Sequence, residues 1–356
     1  MRMTSLAAAI LTLTLAAYPV ANAIALAGSA RPAQGASPRG PLPPPGTPRN
    51  TTAEQQEAPQ QQEPPQAPGT IQVQTTVVNV FATVRDKHNG VVGDLTKDDF
   101  KIFEDGAEQK VAYFTKEVDM PLSMAILMDT SGSMQEILTA EQDAASRFVH
   151  EVMHRKDEAL VMSFDTDVNL LADFTEDPGV LSRAIRRATI NAAGPVITPG
   201  TVPMGSGGGT NLYDAIYLAC HDELSSEAGR KAIVILTDAE DTGSKMTEQD
   251  AIEAAQRADS VIHILLITDP RATAGYGPGV ASTMTQQTGG RVVNVRNEKG
   301  LEKAFDVITE ELRSQYVLGY SSTNTQRDGT FRKIKVEVDR PDMKILARKG
   351  YYAPGG

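Results

Sequence analysis

Two alternating stretches flank a long central region of a different rhythm. In "IQVQTTVVNVFATVRDKHNGVVGDL", Val78, Val80, Ala82 and Val84 alternate with Asn79, Thr83 and Arg85 until the chain reaches Asn89-Gly90. A period of two that runs into an Asn-Gly pair predicts a strand and a hairpin. "FKIFEDGAEQKVAYF" repeats this around Asp105-Gly106, so residues 71–116 are expected to hold about four antiparallel strands. Near the other end, Ile334, Val336 and Val338 face one way and Lys333, Lys335 and Glu337 the other. Neither stretch is long enough to close its own two-layer core. The two are therefore expected to pair into one antiparallel β-sandwich-like accessory domain.

Between them the apolar runs are continuous. "LSMAILM", "ALVMSF", "KAIVILT", "VIHILLI" and "RVVNV" read as strands buried on both faces. They alternate with helical patterns such as "EILTAEQDAASRFVHEVMH", "GVLSRAIRRATI", "NLYDAIYLACHDEL", "TEQDAIEAAQRA" and "GLEKAFDVITEEL". This predicts an α/β domain with a doubly wound, mostly parallel sheet covered by helices on both sides.

The amino-terminal pattern adds an export step. Arg2, the apolar stretch Leu6–Ala17 and Ala21-Asn22-Ala23 read as a signal peptide over residues 1–23, so a secreted, periplasmic or cell-envelope location is expected. A Pro/Gln-rich composition over 24–70 reads as a disordered tether. The expected organisation continues with an N-terminal β segment at 71–120, the α/β domain at 121–314 and a C-terminal β segment at 315–356. No membrane span is expected in the mature chain. The 34 basic and 45 acidic residues leave a net charge of −11, which disfavours nucleic acid. Cys220 is the single cysteine, so no disulfide framework exists within the chain.

In an open α/β sheet, ligands bind beyond the carboxyl ends of the strands. Asp129, Ser131 and Ser133 follow the first central strand in "DTSGSM", Asp238 follows "KAIVILT", and Thr210 stands before a helix in "GSGGGTNLYDA". Each residue alone also suits a helix cap. Together they offer five oxygen-bearing side chains to one end of the sheet, with no thiolate or imidazole. That donor set suits Mg²⁺, with Mn²⁺ or Ca²⁺ as alternatives, and leaves coordination positions for water or an outside ligand.

These residues resemble the metal-ion-dependent adhesion site of the von Willebrand factor type A domain, a D-x-S-x-S loop joined by a threonine and an aspartate from later loops. The resemblance implies that the serines and Thr210 contact the cation directly. The aspartates bind it directly or through water, and a protein partner supplies an Asp or Glu to the open position. Over residues 71–354 the arrangement is similar to secreted bacterial A-domain proteins typified by acidobacteria. Two departures stand out: Ala239 where glycine is common, and a long segment, "AAGPVITPGTVPMGSGGG", before Thr210.

The function expected is a metal-dependent, adhesion-type protein-binding module, not an enzyme. A metal-assisted hydrolase using Asp129 would need an acid two residues on, where Ser131 stands. "HEVMH", His150 to His154, matches the zinc-protease pattern H-E-x-x-H letter for letter, which keeps that alternative open. A third reading is an envelope assembly protein that works through its β-sandwich without metal.

Overall fold

The alternating valines become β1 (Val77–Arg85), with Val80, Ala82 and Val84 turned inward. The protein is described by a computed structural model over residues 77–116, 120–191, 209–268 and 276–355. The expected signal peptide, the expected tether and residues 192–208 of the long segment before Thr210 lie outside the described residues. After β1 come β2 (Phe100–Glu104), β3 (Ala107–Gln109) and β4 (Val111–Lys116). Asp105 and Gly106, with φ of 48° and 86°, form the two-residue turn between β2 and β3. Two positive φ values in succession match the twist of a tight hairpin.

Asn89 also takes a positive φ of 66°, yet the second arm of the expected hairpin makes a single bridge, Arg85 to Val91. The space is already taken. One neighbour pairs with β1 from Val77 to Ala82 and another from Ala82 to Arg85, and both come from the far end of the chain.

The central region begins with β5 (Leu122–Asp129), α1 (Leu138–Val152), β6 (Glu158–Phe164), β7 (Val168–Thr175) and α2 (Pro178–Ile185). It continues with α3 (Leu212–Leu218), β8 (Arg230–Thr237), α4 (Glu248–Arg257) and β9 (Ser260–Ile267). It ends with α5 (Gly277–Thr288), β10 (Val292–Val295) and α6 (Glu298–Arg313). The sheet order is β10-β9-β8-β5-β6-β7, parallel except for β7. One apolar layer packs α1, α2 and α6 on one face, and a second packs α3, α4 and α5 on the other. Neither β7 nor α5 is legible as a pattern. β7 is a half-exposed edge without an apolar run, and α5, "GPGVASTMTQQT", carries two glycines, a proline and three threonines.

The chain then forms β11 (Tyr316–Ser321), β12 (Phe331–Val338), β13 (Lys344–Ala347) and β14 (Gly350–Tyr352). These complete two four-stranded antiparallel sheets, β13-β1-β11-β4 and β14-β12-β2-β3, each with two strands from either flank. Val80, Ile102, Tyr316, Leu318 and Ile334 share the core between them. The α/β domain is thus inserted between the two halves of a sandwich.

A buried polar cluster joins the two. Arg85 of β1 donates from Nε to Glu311 of α6 at 2.9 Å, and Arg291 Nε lies 2.7 Å from the same carboxylate oxygen. His263 of β9 lies 3.5 Å from the other oxygen. Burial, reinforced by the guanidinium groups of Arg291 and Arg85, pushes His263 down to about 3. The imidazole is therefore neutral, and its contact with Glu311 is not an ion pair.

Candidate metal centre

Asp129 is the last residue of β5, a strand buried along its whole length between β6 and β8. From here the chain crosses to β6 on one side while β8 lies on the other, which makes this the point where the strand order reverses. Asp129 Oδ1 accepts from the Ser131 N–H at 2.9 Å and Oδ2 from the Thr237 hydroxyl at 2.6 Å. The hydroxyls of Ser131 and Ser133 are 3.0 Å apart. Ser131 precedes a short 3₁₀ turn, Gly132–Met134, but its side chain does not cap it. Its hydroxyl is bonded to Ser133, which is exposed.

Asp238 follows β8 directly and is half-buried. It caps no helix: its Oδ1 accepts from the Glu240 N–H at 3.1 Å, within its own turn. Ala239 beside it is buried with φ of 59°, a left-handed conformation that costs an alanine roughly 1 kcal/mol. The Thr237 hydroxyl accepts from the Ala239 N–H at 2.9 Å while donating to Asp129, so one side chain fixes both aspartate loops. Gly277, at the start of α5, lies against this turn. A Cβ there would come within 2.1 Å of the Asp238 carbonyl oxygen.

Thr210 is buried and held through its backbone. Its carbonyl accepts from Thr242 at 3.0 Å and Gly243 at 3.3 Å, and its N–H donates to the Thr242 hydroxyl at 3.0 Å. The next residue, Asn211, donates from its backbone to the Asp165 carbonyl at 2.8 Å, and Thr130 donates its hydroxyl to the Asp165 carboxylate at 2.8 Å. Hydrogen bonds thus bring Asp129, Ser131 and Ser133 together. Thr237 ties Asp238 to them, and Asp165 links the Thr210 loop to Thr130.

Burial pushes Asp129 up to about 6, against the hydrogen bonds from Ser131 and Thr237, and the charge of Asp238 adds to the rise. A third acid, not singled out in the sequence, bears on the same place. Glu141, in the first turn of α1, is fully buried with no hydrogen-bond partner at either carboxylate oxygen. Burial pushes it up to about 9, and Asp129 and Asp238 are the charges that add to the shift. Among the described residues no group of three or more His, Cys, Asp or Glu side chains is gathered to hold a metal. The candidate set is instead two carboxylates and three hydroxyls. All are hard oxygen donors, as a Mg²⁺-like ion requires, so the residues present fit such a cation.

The H-E-x-x-H pattern does not survive the fold. Helix α1 ends at Val152 and Met153 is extended, so His154 lies beyond the helix that carries His150. The backbone N–H of His154 donates to Asp157, and His150 Nε2 lies 3.3 Å from the Ser182 hydroxyl. The two imidazoles are not one turn apart on a helical face, which is the geometry the zinc motif needs.

No curated protein sequence matches the chain. Among solved structures, the protein BatB from Bacteroides thetaiotaomicron is 20% identical over 54% of this chain and 100% of its own, with a TM-score of 0.40. A von Willebrand factor type A protein from Catenulispora acidiphila is 11% identical over 80% and 75%, with a TM-score of 0.44. The corresponding domain of the type V pili tip protein Mfa5 from Porphyromonas gingivalis is 14% identical over 55% and 96%, with a TM-score of 0.42. The family model described as von Willebrand factor type A domain matches residues 124–240. That stretch runs from within β5 to just beyond β8 and contains Asp129, Ser131, Ser133, Thr210 and Asp238. Residues 124–240 therefore belong to a von Willebrand factor type A domain.

Proposed function

We propose that the chain is an exported, cation-dependent protein-binding module whose metal site is completed by a carboxylate from the partner. The observation that carries this reading is the Ser131–Ser133 hydroxyl pair, 3.0 Å apart on a loop locked by a buried aspartate at the reversal point of the sheet. Ser131, Ser133 and Thr210 would hold a Mg²⁺-like ion, with Asp129 and Asp238 bound directly or through water. Bound there, the ion would supply a Lewis-acidic position for an incoming carboxylate. The two aspartates balance the charge of a divalent ion, which leaves the loaded site receptive to one further anion.

Tyr276 supports a binding role. It is 92% exposed at the entrance to α5, one residue from the glycine that abuts the Asp238 turn. An exposed aromatic beside a metal site is the residue type that anchors protein interfaces. Among the described residues no helix is long and apolar enough to cross a membrane.

The test is capture from an envelope fraction of the producing cell by wild type and Ser131→Ala, each with Mg²⁺ and with chelator. A partner retained by Mg²⁺-loaded wild type alone is the expected result. Identical profiles in all four conditions would overturn the reading.

A further inference from the structure

Glu141 occupies a position that an apolar residue would fill. Leu138, Glu141, Ala145, Phe148 and Val152 recur at spacings of three and four along α1, and all five are buried. Burying an ionisable group there without a partner is costly, and neither carboxylate oxygen of Glu141 has one among the described residues. The charges that bear on it are those of Asp129 and Asp238, both repulsive. The described protein atoms therefore give no reason for an acid at this place. A cation held by the two aspartates would. Side chains in the first turn of a helix lean toward its N-terminus, and four residues separate the Asp129–Ser133 loop from the start of α1. Among the described residues no three-acid cluster is gathered to hold a metal, so Glu141 is not assigned as a third carboxylate ligand. Water bound to a cation can join it to a carboxyl that does not ligate it.

We propose that Glu141 is a positioning residue of the cation site, its carboxyl acting on a bound cation through water and not as a direct ligand. It rests on the cation-site reading above. In this role Glu141 would add to the hold on the cation without taking a coordination position that a partner could use. Groups that act on a metal through water or through its ligands commonly change its affinity by about 10–100-fold.

The experiment is Mn²⁺ titration of the full chain, followed by electron paramagnetic resonance, for wild type, Glu141→Gln, Glu141→Leu and Ser131→Ala. Thermal melts of each in chelator accompany it. Ser131→Ala and both Glu141 variants are expected to weaken Mn²⁺ by about tenfold or more. Glu141→Leu is expected to melt in chelator at or above the wild-type temperature, because an apolar side chain replaces an unpartnered buried acid. Its weakened binding then cannot be ascribed to unfolding. Wild-type affinity in both Glu141 variants, with binding lost in Ser131→Ala, would overturn this proposal and leave the cation site standing. An absence of Mn²⁺ binding by the wild type would overturn both.

Discussion

The Thr237 hydroxyl donates a 2.6 Å hydrogen bond to Asp129 and joins the carboxyl ends of the two central strands, β8 and β5. The same oxygen accepts from Ala239. Thr237→Val keeps the shape, removes both bonds and leaves one oxygen of a buried carboxylate unpartnered. The expected loss is about 1.5–3 kcal/mol in urea unfolding without metal, the range for a hydrogen bond to a charged group. Mn²⁺ affinity should fall with it. Unchanged stability would show that the Thr237 bridge contributes nothing.

The buried acids set a pH dependence. Glu141 titrates at about 9 in the fold against an ordinary value of 4.5, so the folded protein keeps a proton that the unfolded chain releases. A folded state that binds more protons loses stability as pH rises, here between about 4.5 and 9, by up to ~1.4 kcal/mol per pH unit. Asp129, at about 6 against 3.8, acts in the same direction at the acid end of that window. The stability difference between Glu141→Gln and wild type in chelator should widen in favour of the variant from pH 5 to pH 9. A difference that stays flat over this range contradicts the assignment.

At the junction of the two domains, Glu311 pairs with both Arg85 and Arg291, and Glu310 lies 3.3 Å from Arg85. Glu311→Gln leaves the deeply buried Arg85 guanidinium with only part of its compensation. The expected cost is about 3 kcal/mol or more in equilibrium unfolding. Arg85→Met combined with Glu311→Leu should recover part of it, since the most deeply buried charge is removed, while Arg291 still loses its carboxylate partner. A double variant no better than Glu311→Gln would show that packing, not charge, governs the site.

Much of this was legible because the strands of the α/β domain are apolar runs and those of the sandwich alternate. Asp129, Ser131, Ser133, Thr210 and Asp238 stood out as candidates because a short loop motif, a strand end and a helix start carry them. Glu141 was also written in the sequence, as one acid in the apolar three-four spacing of α1, but it needed the fold to show that its neighbours are aspartates. Gly277 had no such signal. Its importance comes from a close approach to the backbone of a residue thirty-nine positions earlier, and α5 itself has no apolar face distinct enough to announce it. The Asn89-Gly90 turn formed as its residues dictate, while its second arm lost the edge of β1 to strands from the other end of the chain.

Tyr276 separates binding from stability. Because its side chain is almost wholly exposed, Tyr276→Ala should change unfolding free energy by no more than about 0.5 kcal/mol. Retention of the Mg²⁺-dependent partner should fall by about tenfold or more, as for an aromatic anchor at the centre of an interface. Equal retention would place the partner elsewhere around the site.

The interleaving of the flanks also has a mechanical side. β1 is an inner strand, paired over six residues with β11 and over four with β13. A pull at Val77 along the strand loads these pairs in parallel, so they resist by shear instead of opening one at a time. Because β11 follows α6 directly, a load taken up by the α/β domain reaches the same pairs from the opposite side. The sandwich therefore works as a clasp, closed by two ends of the chain that lie more than two hundred residues apart in sequence.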